Sequence, residues 1–219
     1  MRIASKIISY HRELPSGVKL VAVSKFHPVA SLMEAYDAGQ RIFGESRPQE
    51  LYAKVGQMPG DVEWHFIGHL QTNKLKLVLP YISMLESVDS VRLLEAVSAW
   101  CQTAGRRTDV LLELKLGSEE TKQGLTEDEI FGVMEHASDY PGVRIRGLMG
   151  MATNTDDTGL IREEFGRIAE LKRRISESFP EADAFGELSI GMSDDYAIAI
   201  EAGSTMVRIG TDIFGPREY

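Results

Sequence analysis

The sequence predicts an α/β protein, a single (β/α)8 barrel of the TIM type spanning residues 1–219. Three observations carry the prediction. Eight short apolar runs recur along the chain, and each ends in a polar or glycine-rich turn. A helix-like segment separates each run from the next, which implies right-handed βαβ units and a parallel sheet. No low-complexity linker or long insertion interrupts the alternation, and eight such units are the number that closes a barrel. An open, doubly wound sheet is the structural alternative.

Residues 1–14 are helix-like and precede the first run, VKLVAVSK (18–25). Pro28 opens the next helix at a favoured first-turn position and Gly39 closes it. RIFGES (41–46) and VEWHFIGH (62–69) are the second and third runs, and Gln71 and Asn73 begin the helix that follows. After MLESVD (84–89), Ser90 caps a helix that Gly105 ends. DVLLELKLG (109–117) is the fifth run, and Thr126 then starts a helix with acids in its first turn. VRIRGLMGMAT (143–153) is the sixth. The apolar positions 161, 165, 168, 171 and 175 then repeat at helical spacing. ELSIGMS (187–193) leads to a short helix from Tyr196 to Ala202, ended by Gly203. TMVRIGTDIFG (205–215) is the eighth run, and the chain stops just after it. The N-terminal helix is therefore expected to cover the gap left by a missing eighth helix.

Composition narrows the function classes. Lys and Arg number 24 against 33 Asp and Glu, a net charge of −9. An acidic chain disfavours sequence-independent nucleic-acid binding and attachment to a membrane surface. The densest basic cluster, Lys172-Arg173-Arg174, lies among glutamates on a helix and is read as a solvated face. No apolar run approaches the ~20 residues of a membrane helix. The N-terminus lacks the pattern of a secretory signal. Cys101 is the one cysteine, so no intramolecular disulfide forms, and a cytoplasmic location is expected.

In such barrels chemistry collects at the C-terminal strand ends, with phosphate often held after strands seven and eight. Lys25 ends the first run. A lysine entering a barrel mouth loses hydration, which favours the neutral amine that can form a Schiff base with an aldehyde; an ordinary exposed lysine is the alternative. Gly191, Ser193, Gly210 and Thr211 bring small residues, free amides and hydroxyls to the phosphate position. Arg208 shares a strand face with Gly210 and points inward. It pairs there with a phosphate, with a ring nitrogen, or with a barrel carboxylate. His65 and His69 share a face with residue 67, but no third and fourth metal ligand has suitable spacing, so one of them is read as lining the pocket. Lys122 lies in the loop after the fifth run as a second amine that can reach the mouth, Met149, Met151 and Met192 are read as packing, and Tyr219 has no assigned role.

The segments VAVSKFHP, FGESRPQE, WHFIGHLQTNK, RGLMGM and SIGMSDDYAIAIEAGSTMVRIGTDIFGPREY closely resemble the pyridoxal phosphate homeostasis protein family, in order and over nearly the whole chain. The resemblance implies a barrel similar to the N-terminal domain of alanine racemase that binds pyridoxal 5′-phosphate (PLP). It implies a carrier or buffer of the cofactor without established turnover. It places the Schiff-base lysine at Lys25, the phosphate cradle at Ser193, Gly210 and Thr211, and an arginine near the ring nitrogen or phosphate at Arg208. Ser46 stands where many members carry an asparagine that approaches the cofactor; of the two histidines, His65 is taken, from the strand pattern alone, as the one at the cofactor. Lys122 matches a family lysine of open role. Partners implied are PLP and, transiently, apo-enzymes that use it; no nucleic acid or membrane is expected, and a monomer is.

Other readings compete. A PLP-dependent racemase needs a second base opposite the lysine, supplied in alanine racemase by a separate domain for which nothing here is a clear replacement. A sugar-phosphate aldolase acting through Lys25 fits the lysine and the phosphate loops equally well. A purely structural protein leaves the polar strand ends without a purpose.

Overall fold

The computed structural model describes residues 2–116, 123–182 and 184–216. Eight parallel strands close into a barrel in chain order. They are β1 (Lys19–Val23), β2 (Ile42–Glu45), β3 (Glu63–Phe66), β4 (Met84–Val88), β5 (Thr108–Glu113), β6 (Val143–Met149), β7 (Glu187–Ser189) and β8 (Met206–Ile209). Closure is made by β1 against β8, with Val21 opposite Arg208 and Ala22 opposite Ile209. The helices are α1 (Ile3–Glu13), α2 (Val29–Asp37), α3 (Pro48–Val55), α4 (Leu75–Val78), α5 (Val91–Thr103), α6 (Glu127–Glu135), α7 (Thr158–Ser178), α8 (Tyr196–Glu201) and α9 (Thr211–Phe214).

Side-chain caps set the starts of α5, α6 and α7. The Ser90 hydroxyl accepts from the Leu93 N–H at the start of α5. Thr126 and Glu129 form a reciprocal capping box on α6. The five apolar positions of α7 are all buried, while Arg173 and Arg174 pair with Glu170, Glu177 and Glu127 on its outer face. Pro28 differs from expectation. It is the extended N-cap of α2, one residue before the helix, while Pro48 holds the first helical position of α3.

All eight predicted runs extend past the strands they contain. The third stops at Phe66, and the sixth leaves the barrel after Met149. The eighth is divided at Gly210, whose backbone turns to φ −120°, ψ −78° and opens α9. The place of the eighth helix is therefore held by this short turn together with α1. Lys6 Nζ donates to Asp212 at 2.7 Å and the Tyr10 hydroxyl at 2.8 Å.

Strand alternation divides the side chains into two sets. Outward residues pack under the helices in the main core, among them Leu20, Ala22, Phe43, Phe66, Leu112, Leu148, Val207 and Ile209. Inward residues Val21, Met84, Leu111, Met149 and Met206 form a separate apolar plug inside the barrel. Two positions further along several strands, the inward residues are Val23, Glu86, Glu113 and Arg208, all buried. The barrel interior thus changes from apolar to ionisable toward the C-terminal strand ends.

Candidate functional site

Above the plug, four strands contribute one polar layer. Glu86 of β4 is fully buried, and its two oxygens face different partners. His65 Nδ1 lies 2.6 Å from Oε1, and the Ser189 hydroxyl donates to Oε2 at 2.6 Å. Arg208 of β8 donates through one terminal nitrogen to the Ser189 carbonyl (2.8 Å) and hydroxyl (2.6 Å), and through the other to the Gly150 carbonyl (2.9 Å). It comes to 3.8 Å from Glu86 Oε2. Burial alone would raise the Glu86 carboxyl, but His65, Arg208 and Ser189 hold it below its usual range. An ionised carboxylate only accepts, so the His65 Nδ1 carries the proton and donates.

Over this layer opens a cleft of about 480 Å³ at the strand C-termini. Lys25, Ser193, Arg208, Gly210 and Thr211 all line it, together with Val23, Ile67, Met151 and Met192. Five of the seven residues expected to bind the cofactor therefore converge. The other two are placed differently. Ser46 follows β2 and is half-buried against Gly68, where any side chain at 68 would fall 2.3 Å from the Ser46 carbonyl. His65 sits one layer down, turned to Glu86, and reaches the cleft only through that network. His69 pairs with Asp89 at 2.7 Å and is half-exposed. Lys122 and Tyr219 lie outside the described residues.

The loop that carries Lys25 is fixed on both sides. The Ser24 carbonyl accepts from Lys54 Nζ at 2.8 Å, and its hydroxyl donates to Glu45 at 2.6 Å. Phe26 takes a left-handed conformation, φ +69°, with its N–H donating to Glu50 at 2.6 Å and its ring under the Arg47 guanidinium at 4.3 Å. A non-glycine residue at positive φ costs about 1–3 kcal/mol, so it persists only where neighbours impose it. Lys54 joins the two sides, bonding Glu45 and Glu50 at 2.7 Å each. Burial raises the Glu45 carboxyl, and Lys54 and Ser24 pull it back.

The opposite rim is built from donors. Among the described residues, the backbone N–H groups of Ser193, Asp194 and Gly210 have no acceptor within the protein. Gly191 at φ +95° turns the chain after β7, and a side chain there would strike Ala199 at 2.6 Å. Asp212 is held low in pKa by Lys6 and Tyr10, which direct its charge toward α1.

Four residues that shape the site were not singled out: Lys54, Glu50, Glu86 and Glu113. The available signals were an acid inside an otherwise apolar strand, as in MLESV and DVLLEL, and the i, i+4 spacing of Glu50 and Lys54.

Residues 2–218 match the alanine racemase N-terminal domain family. A pyridoxal phosphate homeostasis protein of Vibrio alginolyticus is 40% identical over 210 residues, covering 94% of this chain and 89% of that one. This chain belongs to that family. The pyridoxal phosphate homeostasis protein of Homo sapiens is 37% identical, covering all of this chain and 84% of its own. Among solved structures, PipY of Synechococcus elongatus, solved with PLP bound, superposes with a TM-score of 0.90 at 34% identity, covering 98% of this chain and 100% of that one. The family's barrel is the fold observed here.

Proposed function

We propose that this protein binds PLP in the cleft over the polar layer and serves as a homeostasis protein that holds and releases the cofactor without catalytic turnover. One observation carries the reading: a lysine, an inward arginine and two hydroxyl-bearing glycine turns meet in a single cleft. The residues fit the group. Lys25 supplies an amine to bond the aldehyde carbon. The Ser193 and Thr211 hydroxyls and the free amides around them suit a phosphate dianion. Arg208 is buried below the rim, bonded to β6–β7 carbonyls, which supports a place beside the ring nitrogen rather than at the phosphate. An arginine there keeps the ring nitrogen unprotonated and weakens the cofactor as an electron sink. When bound, the cofactor contributes an electrophilic aldehyde. The protein's own part is to orient Lys25 through the Ser24–Phe26 clamp and to keep Arg208 charged through Glu86.

Ser46 and His65 belong to this reading as supporting residues, His65 by fixing Glu86 and Ser46 by closing the β2 side. We place the protein in the cytoplasm, as one barrel unit and a monomer. Transient apo-enzymes are its proposed recipients. No described helix is long and apolar enough to cross a membrane.

The test is a visible absorption spectrum with added PLP, followed by borohydride reduction and peptide mapping. A visible band with label on Lys25, both lost in Lys25→Ala, is expected. An uncoloured, unlabelled protein in excess PLP sinks the reading and favours the sugar-phosphate aldolase. Turnover of D- or L-alanine by the coloured protein would overturn the carrier role.

A further inference from the structure

Beside the Lys25 cleft lies a second cavity, of about 300 Å³, lined by the last residue of β5, Glu113. Strand alternation places Glu113 inside the barrel, two positions beyond Leu111 of the apolar plug. Its residue is 7% exposed. Five other acids are as buried, and each has a partner: Glu45 with Lys54, Glu86 with His65, Glu164 with Thr153, Glu187 with Thr205, and Asp195 with the Met192 N–H. Among the described residues, the Glu113 carboxyl alone of this set has neither a hydrogen bond nor an ion pair. Its oxygens are not sealed inside the protein but open onto the cavity, and a largely buried acid that faces a cavity in place of a protein partner points to a ligand.

We propose that this cavity is a subsite for an alkylammonium group, with the Glu113 carboxylate as its counter-ion. The lining defines the ligand. Leu114, Leu116, Met151 and Met192 offer apolar wall to a methylene stem, and Gln123 and Asn154 add neutral polar groups. Among the described residues, no lysine or arginine lines the cavity. The acid and the apolar wall suit a lysine side chain or a free aliphatic amine. Arg208, the cation that acts on Glu113, is already bonded to Ser189 and Gly150.

Electrostatics agree with the geometry. Burial raises the Glu113 carboxyl to about 7, Asp89 adds to the rise, and Arg208 and His69 oppose it. An ammonium group restores the charged form that burial disfavours. Met151 and Met192 also line the Lys25 cleft, so an amine seated at Glu113 is separated from it only by shared wall. The subsite stands without the cofactor; its meaning, as the side on which an accepting amine arrives, rests on the carrier reading.

The experiment is calorimetric titration of the cofactor-free protein with n-butylammonium and with Nα-acetyl-lysine amide, using Nα-acetyl-norleucine amide as the uncharged control. Saturable binding of n-butylammonium is expected, weakened about tenfold or more in Glu113→Gln. It should also weaken several-fold between about pH 8 and about pH 6, as the carboxylate is protonated. Binding of n-butylammonium alone assigns the site to free amines; binding of both charged probes extends it to lysine side chains. No saturable binding, equal binding to Glu113→Gln, or equal binding of the norleucine control overturns the proposal. Should Glu113→Gln fail to melt cooperatively, the wild-type pH series decides, and pH-independent binding overturns it. PLP colour is scored separately: probes bound without colour sink the carrier reading alone, and colour without probe binding sinks the subsite alone.

Discussion

Glu86 and Glu113 stand on neighbouring strands, point into the same lumen and are both buried, yet they are opposites. Glu86 has His65, Ser189 and Arg208 around it and is held ionised. Glu113 has only the distant pull of Arg208 and His69, and burial wins. Depth therefore does not set the charge of a barrel carboxyl; the partners on adjoining strands do. The Glu86 side is a finished network that fixes Arg208. The Glu113 side is left open to a cavity.

The largest expected effect breaks the finished side. Glu86→Gln leaves the Arg208 guanidinium buried without its carboxylate, and removing one member of a buried pair costs about 3–5 kcal/mol. Urea denaturation at neutral pH measures it, and a loss below ~1 kcal/mol would mean the network does not hold Arg208. The second sharpens the contrast by its sign. A carboxyl whose folded pKa is raised from 4.5 to about 7 gives its full stability below 4.5 and loses it as pH rises through 7. Glu113→Gln should then be more stable than wild type at alkaline pH by on the order of 3 kcal/mol, with the gap closing in acid. Thermal melts across that range test it, and a pH-independent difference would show that folding leaves the Glu113 carboxyl at its ordinary pKa. The smallest effect comes from the other end of the barrel. Glu187 pairs with Lys19, which is half-exposed, and keeps Thr205 as a second partner. Lys19→Met should cost about 1 kcal/mol or less, as exposed pairs do; a larger loss in the same melts would show that partners count equally at both ends.

The barrel was legible because alternation of apolar runs with capped helices is a local signal, and Ser90, Thr126 and the α7 stripe each behave as read. The rim was legible because glycine and hydroxyl residues mark strand ends. The polar layer was not. Glu113 stood in the middle of a run read to residue 117, so it looked like an interior position rather than a strand end. Glu86 in MLESV is indistinguishable in sequence from an acid on an exposed strand face, because only closure of the barrel decides which face is the lumen. The clamp on Lys25 depends on Phe26 at positive φ, a conformation that no local residue preference suggests. Gly210 was read as part of a phosphate turn, and its second effect, ending β8, appears only in the backbone.

The seam between β1 and β8 has a consequence for how the protein is made. Lys25 follows the first strand, while Arg208, Gly210 and Thr211 belong to the last strand and the turn after it, so the two halves of the cleft are separated by almost the whole chain. Contacts of such long sequence separation form late, after intervening loops have been closed. During synthesis, a ribosome-bound chain lacking its final strand has the lysine and Ser193 but neither the arginine nor the Gly210–Thr211 turn. Uptake of a ligand that needs both halves is therefore a report that the ring of strands has shut, and a nascent or C-terminally clipped chain is silent in that assay even where its first seven strands are in place.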